Sequence, residues 1–245
     1  PENSSYATNS GHVRIYSYNG SGWTQLGQDI DGEYGGDFSG HAISLNSNGD
    51  RIVIGAPNND SVDFLGNGDN TGHVRVYDYD GSQWIQVGED IDGSEVGDFS
   101  GWSVSISDDG NVVAIGSVHY GSSYEGQVRV YSWNGVSWNQ VGADIYGEGI
   151  WDEFGHDVSL NSDGSILAAS GIYNDDSGNN AGHVRVFQNI NNSWVQLGGD
   201  IDGETAEDNS KKENNDNSSL IETDYQLYEA LNVLRGLSIH LKKTG

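Results

Sequence analysis

Short alternations of apolar and polar residues, separated by clusters of Gly, Asn, Asp and Ser, run from Gly11 to about residue 204. Alternation with period two marks a strand buried on one side, and the polar clusters between runs mark its turns. Within residues 38–92, His41–Leu45 alternates, Asn48-Gly49 signals a turn, and Arg51–Ala56 is a nearly continuous apolar strand. A variable loop then leads to His73–Tyr79. Asp80-Gly81 supplies a hairpin turn that requires positive φ, and Trp84–Val87 forms a fourth strand.

The unit recurs. Gly11-His12-Val13-Arg14-Ile15-Tyr16 returns at Gly72–Tyr77, Gly126–Tyr131 and Gly182–Phe187, at offsets of 61, 54 and 56 residues. Such periods suit one small sheet per repeat. Four strands, two tight hairpins and one loose loop describe a propeller blade. The predicted fold is all-β, a partial β-propeller of four-stranded antiparallel blades, about three and a half of them, plus a short C-terminal helix. Residues 11–27 give half a blade, and 38–87, 99–141 and 154–197 give fuller ones. Residues 1–204 hold the blades, 205–218 a polar linker, and 219–245 a helical tail that opens with a capping box at Ser219-Leu-Ile-Glu222. Unclosed blade faces predict further blades or self-association.

In Val74-Arg75-Val76-Tyr77 the valines share one face, and Arg75 and Tyr77 the other. A blade covered on both sides must place that arginine between neighbours, beside a carboxylate. Trp23, Trp84, Trp138 and Trp194 share one repeat position and are expected in the core, whereas Trp102, Trp133 and Trp151 fall outside it and are candidates for ligand contact.

Charge narrows the partners. Only Arg14, Arg51, Arg75, Arg129 and Arg185 are basic before Lys211, and the tail's acids and bases balance. The whole net charge of −27 therefore belongs to the repeats. Nucleic acid and anionic membranes are excluded as partners, since phosphate binding needs clustered Lys and Arg. No apolar run reaches the roughly 18 residues of a membrane span. There is no cysteine, and the chain, which begins at Pro1 without methionine, reads as a fragment or a processed product.

Phe38-Ser-Gly40, Gly55-Ala56-Pro57, Gly72–Tyr77 and Trp84, in that order, resemble the FG-GAP repeat of integrin α-chain propellers and their relatives. The likeness spans about residues 11–204, and Phe154-Gly155 reproduces the Phe-Gly pair. It implies a propeller whose complete form usually has seven blades. The family's calcium hairpin cannot be carried over, because Asn46–Asp50, Ser107–Asn111 and Asn161–Ser165 offer too few oxygens for the six to eight that Ca²⁺ takes.

A second set of acids recurs: Asp29, Asp31, Glu33 and Asp37, then Asp90, Asp92, Glu95 and Asp98. They are expected either to cap turns and pair with the arginines, or to form a weak Ca²⁺ site on the blade-linking loops. No cofactor is required. Catalytic signals are poor: His41 and His156 share a position with Trp102, and no metalloprotease, phosphate-loop or triad pattern occurs. The expectation is a non-enzymatic, secreted or cell-surface adhesion module that presents loops to a protein or glycan. The alternatives are a lectin-like carbohydrate binder and an accessory domain of a polysaccharide-active enzyme.

Overall fold

The computed structural model describes residues 8–60, 69–176 and 178–203. These form strands and turns with no helix. The linker and helix expected over 205–218 and 219–245 lie outside the described residues.

The second repeat is a sheet of Ala42–Leu45, Arg51–Ala56, His73–Tyr79 and Trp84–Gln86, antiparallel and in sequence order. Ile91–Asp92 adds a short fifth strand against the start of the third, pairing Val74 with Ile91 and His73 with Asp92. The third repeat (Ser100–Ile106, Val112–Ser117, Gln127–Trp133, Trp138–Gln140, Ile145–Tyr146) has the same order. So does the fourth (Phe154–Leu160, Ile166–Gly171, His183–Asn189, Trp194–Gln196, Ile201–Asp202). Among the described residues the first repeat has only the outer part, Tyr16–Tyr18 with Trp23–Gln25 and His12–Val13 with Ile30–Asp31.

Alternation along the second strands makes the sheets stack. In Arg51–Ala56, Ile52 and Ile54 pack with Val13, Ile15 and Ile30 of the first repeat. Val53 points the other way, into a core with Val104, Ile106, Val113 and Ile115. The next strand repeats the move: Ala114 joins Val128, Phe154 and Leu167 in a third core. Each full burial of a Val or Ile contributes about 1.5–3 kcal/mol, so the chain is held by three interface cores rather than one centre.

Two polar contacts join each interface. The indole Nε1 of Trp84, Trp138 and Trp194 donates to the carbonyls of Leu26, Val87 and Val141 in the preceding repeat, at 2.9 Å each. The glycine after each carbonyl gives the ring room: a Cβ on Gly27, Gly88 or Gly142 would lie about 3 Å from it. The arginines reach back in the same direction. Arg75 donates to the Asp31 carbonyl and faces Glu33 at 3.3 Å. Arg129 donates to the Asp92 carbonyl at 2.8 Å, and Arg185 to the Tyr146 carbonyl at 2.9 Å.

A third element of each joint is an imidazole or its replacement. His73 Nδ1 lies 3.5 Å from Asp90, whereas Gln127 donates to Asp144 at 2.6 Å in the equivalent place. Burial, then Arg75, depress the His73 imidazole from 6.5 to about 4 against the opposing pull of Asp90. Between those values the unfolded chain holds a proton that the folded chain does not, so stability falls as pH drops through that window. We expect His73→Gln to leave neutral-pH stability nearly unchanged and to remove on the order of 2–3 kcal/mol of that acid-induced loss. Unfolding midpoints measured across the window check this; a variant that declines as steeply as the parent contradicts it.

Two sequence expectations are corrected by register. Gly11, Gly72 and Gly126 bridge Ser39, Ser100 and Phe154 respectively, so Phe154 takes the serine position and Glu153 takes that of Phe38 and Phe99. Trp133 pairs across the hairpin with Trp138, as Tyr18 does with Trp23 and Tyr79 with Trp84. It is thus part of a repeated aromatic pair, with ring centroids 5.2–5.3 Å apart. Trp133 therefore holds a repeated packing position and does not fall outside the repeat.

Candidate functional site

The eight acids singled out by sequence do not gather in one place, and of them Glu33 and Asp90 meet, beside His73. Asp29 accepts from Arg14 at 2.7 Å and from Gln25, and those bonds hold its carboxyl down at about 2. Glu33 faces Arg75, and Asp90 accepts from Gln86 at 2.6 Å. Asp37 and Asp98 are buried turn caps: Asp37 accepts from the Tyr34 amide at 2.9 Å, Asp98 from those of Ser94 and Glu95 at 2.9 and 2.8 Å. Asp31 and Asp92 lie in the linking strands, and Glu95 on the turn beyond. Two trios, Glu33–His73–Asp90 and Glu148–His183–Asp200, bring possible ligand atoms within 4.8 Å of one another. Each trio also contains a guanidinium, Arg75 or Arg185, 3.3 Å from its glutamate. That cation already offsets the carboxylate repulsion which a metal would relieve.

A different cluster forms where the third and fourth repeats meet. The repeat uses left-handed backbone at three fixed places, filled in the other described copies by Asn at the first, Gly at the second and Phe at the third. Asn9, Asn70 and Asn180 precede the strand glycines with φ between 43° and 61°, and Tyr124 takes that place with φ 56°. Gly36 and Gly97 precede the buried capping aspartates, and Trp151 takes that place with φ 67°. Phe38 and Phe99 follow those aspartates at φ 55°, and Glu153 takes that place at 49°. A bulky residue in this region costs on the order of 1–3 kcal/mol, and such strain concentrates at functional sites.

These substitutions face one another. Tyr124 stacks on Trp151 with centroids 4.4 Å apart and planes at 21°. The His119 ring meets both Tyr124 and Phe99 edge-on at 4.8 Å. His119 Nε2 lies 3.8 Å from Glu153 Oε1, with the glutamate side chain 16% exposed. Burial raises the Glu153 carboxyl above its ordinary value, and His119 pulls it partly back. Trp102 continues the wall from Phe99 and lies between His41 and His156, at 4.7 and 5.8 Å. Strand irregularities between Ser100 and Ser103, and between Phe154 and Val158, set these rings off the regular pleat. Burial lowers the basicity of both His41 and His156.

Of the three aromatics proposed from sequence, the structure therefore joins Trp102 and Trp151 through one chain of rings and separates Trp133 from it. Glu153 and Tyr124 were not singled out by sequence. The available signal was their departure from Phe and Asn at fixed repeat places, which the Phe154-Gly155 pair hides by pulling the alignment one residue along. What the cluster offers is a partly desolvated carboxylate–imidazole pair walled by flat apolar faces. Such a pair can move a proton at the surface of a ring-shaped ligand.

No family model matches the chain, and no curated protein is similar to it. Among solved structures, it is similar to a protein of Bacteroides uniformis assigned as a 6-phosphogluconolactonase, at 13% identity and a TM-score of 0.52. That match covers 80% of this chain and 50% of the other. A protein of Bacteroides fragilis with the same assignment matches at 14% identity and a TM-score of 0.48, over 77% of this chain and 51% of the other. The chain thus spans about half the length of these solved proteins. The similarity corrects the expectation of a non-enzymatic adhesion module with its lectin-like and accessory alternatives. That expectation rested on the fold, and the fold is shared with a protein assigned as an enzyme. These structures give no support to the FG-GAP, integrin or adhesion expectations.

Proposed function

We propose that the stacked sheets are part of a β-propeller enzyme that hydrolyses the ring of an uncharged sugar lactone, with Glu153 as the base. The observation that carries this reading is the run of three exchanges at strained positions, Tyr124 for Asn, Trp151 for Gly and Glu153 for Phe, gathered around His119. The stacked Tyr124–Trp151 pair suits the apolar face of a sugar ring. The Glu153 carboxylate takes a proton from water as its oxygen attacks the lactone carbonyl. The acyl–oxygen bond then breaks, and the proton passes to the departing ring oxygen. His119 holds the carboxylate in place.

The assignment of the solved relative suggests lactone chemistry, but its phosphorylated substrate fits this chain poorly. Arg14, Arg51, Arg75 and Arg185 are all paired with carboxylates, and Arg129, buried between sheets, donates to the Asp92 carbonyl and the Ser100 hydroxyl. Among the described residues no arginine is both exposed and unpaired, and the repeats' net charge repels a phosphate.

The test is hydrolysis of a sugar δ-lactone and of its 6-phosphate, each corrected for the spontaneous rate. The free lactone is expected to be the better substrate, and Glu153→Gln to lose roughly 10²-fold or more. Glu153→Phe, which restores the residue of two other repeats, is expected to stay folded and inactive. Because the base must be ionised, activity is lost as pH falls, with a midpoint above the ordinary glutamate value of 4.5. A rate equal to the spontaneous one, or a fully active Glu153→Phe, rejects the reading.

A further inference from the structure

The two ends of the array carry the two halves of the joint that the chain makes three times within itself. On the first repeat, Trp23 is 70% exposed, while the equivalent Trp84 is 3% exposed. Trp23 is nevertheless already held in the working pose: it tilts against Tyr18 at 5.2 Å and 48°, as Trp84 tilts against Tyr79 at 5.2 Å and 40°. Arg14 and Tyr16 beside it are exposed, in the places where Arg75 and Tyr77 are buried.

The fourth repeat carries the matching socket. Leu197 corresponds to Leu26, Val87 and Val141, whose carbonyls receive an indole, and Gly198 to the glycines that give the ring room. A Cβ on Gly198 would meet nothing within 4 Å. Around it Val184, Val186 and Ile201 are half-buried or exposed, where Val13, Ile15 and Ile30 form a core. The polar parts also match, since Arg14 stands at one end and the linking strand with Asp202 at the other, as Arg75 stands to Asp31.

One residue decides what kind of repeat fits. Gly55 and Gly116 admit the first strand of the next sheet so closely that a Cβ on either would lie 2.1 or 2.0 Å from the carbonyl of Gly101 or Gly155. The fourth repeat has Ser170 in that place, as register shows: Ser170 pairs with Val184 as Gly55 pairs with Val74. A further complete sheet would drive its first strand into the Ser170 side chain. The described strands of the first repeat, His12–Val13, Tyr16–Tyr18, Trp23–Gln25 and Ile30–Asp31, do not include the one that would meet Ser170.

We infer that the open face of the fourth repeat receives the first repeat of a second copy of this chain, head to tail, with Trp23 donating to the Leu197 carbonyl. An interface of this kind is heterologous and joins different surfaces of identical chains.

Light scattering of the complete chain over a wide concentration range tests it, in raised salt to screen the repulsion between acidic copies. The mass is expected to rise to at least twice that of one chain. Trp23→Ala and Leu197→Glu should each weaken association at least tenfold while keeping the β-type circular dichroism of the parent. Mixed together, the two variants should form a one-to-one complex, because each retains the half that the other lacks. A parent that stays monomeric throughout overturns the inference, and so does a Trp23→Ala variant that assembles like the parent. Failure of the mixed variants to pair overturns it equally, and would point instead to another segment covering the face.

Discussion

Trp84→Ala should lower the stability of the array by about 3–5 kcal/mol, whereas Trp23→Ala, the same change one repeat earlier, should cost under about 1 kcal/mol. Both rings lie across a hairpin from a tyrosine, so local pairing is matched. The difference is the neighbour. Trp84 packs with Ile15, Ile30 and Ile54, and donates to the Leu26 carbonyl at 2.9 Å. Its truncation leaves a cavity and an unsatisfied buried carbonyl, two penalties that add. Among the described residues, nothing precedes Trp23 to be lost. Denaturant unfolding of the two variants at equal protein concentrations, low enough to keep the chain monomeric, measures the contrast. Equal losses would mean that the indole stabilises its own hairpin and not the joint between sheets.

The second large effect is at an arginine. Arg185→Ala is expected to cost about 3 kcal/mol and Arg14→Ala less than about 1 kcal/mol. Arg185 lies between the Phe154 and Phe187 rings, 5.1 Å from each centroid, donates to Gln196 and the Tyr146 carbonyl, and faces Glu148 at 3.3 Å. Its removal strands a half-exposed glutamate and a carbonyl, and opens a gap between two aromatic faces. The half-exposed Glu148 keeps the figure at the lower end for a buried ion pair. Arg14 is itself nearly half exposed, and its bond to Asp29 is a solvent-screened pair. Thermal unfolding at low and high salt separates the two: the Arg14 effect should shrink with salt, and the Arg185 effect should persist. A salt-sensitive Arg185 would mean that its rings contribute little.

Strands were legible wherever alternation was long enough to count. Arg51–Ala56 and His73–Tyr79 coincide with the expected runs, because apolar residues on both faces and Gly-containing hairpins mark them from either end. The direction of Arg75 was legible for the same reason: side chains two apart must share a face. Ile91–Asp92 was not legible as a fifth strand, since two residues carry no period. The candidate site was legible only in fragments. Trp102 and Trp151 stood out as aromatics beyond the repeat, but left-handed backbone is invisible in residue names once Asn and Gly have been exchanged for Tyr and Trp. Which acid meets which base depends on cross-strand register, so the acids found from sequence scatter among separate partners.

The exchange of His73 and His183 for Gln127 has a bearing on acid tolerance. The joint between the second and third repeats holds Ser94 and Gln127 where its neighbours hold glutamate and histidine. At this place in the joint, protons arriving on imidazole therefore find targets in the flanking joints, while the middle one offers His41 beside Trp102 instead. Mild acidification should open the two outer seams of the molecule ahead of its midsection, where glutamine has replaced the linking histidine.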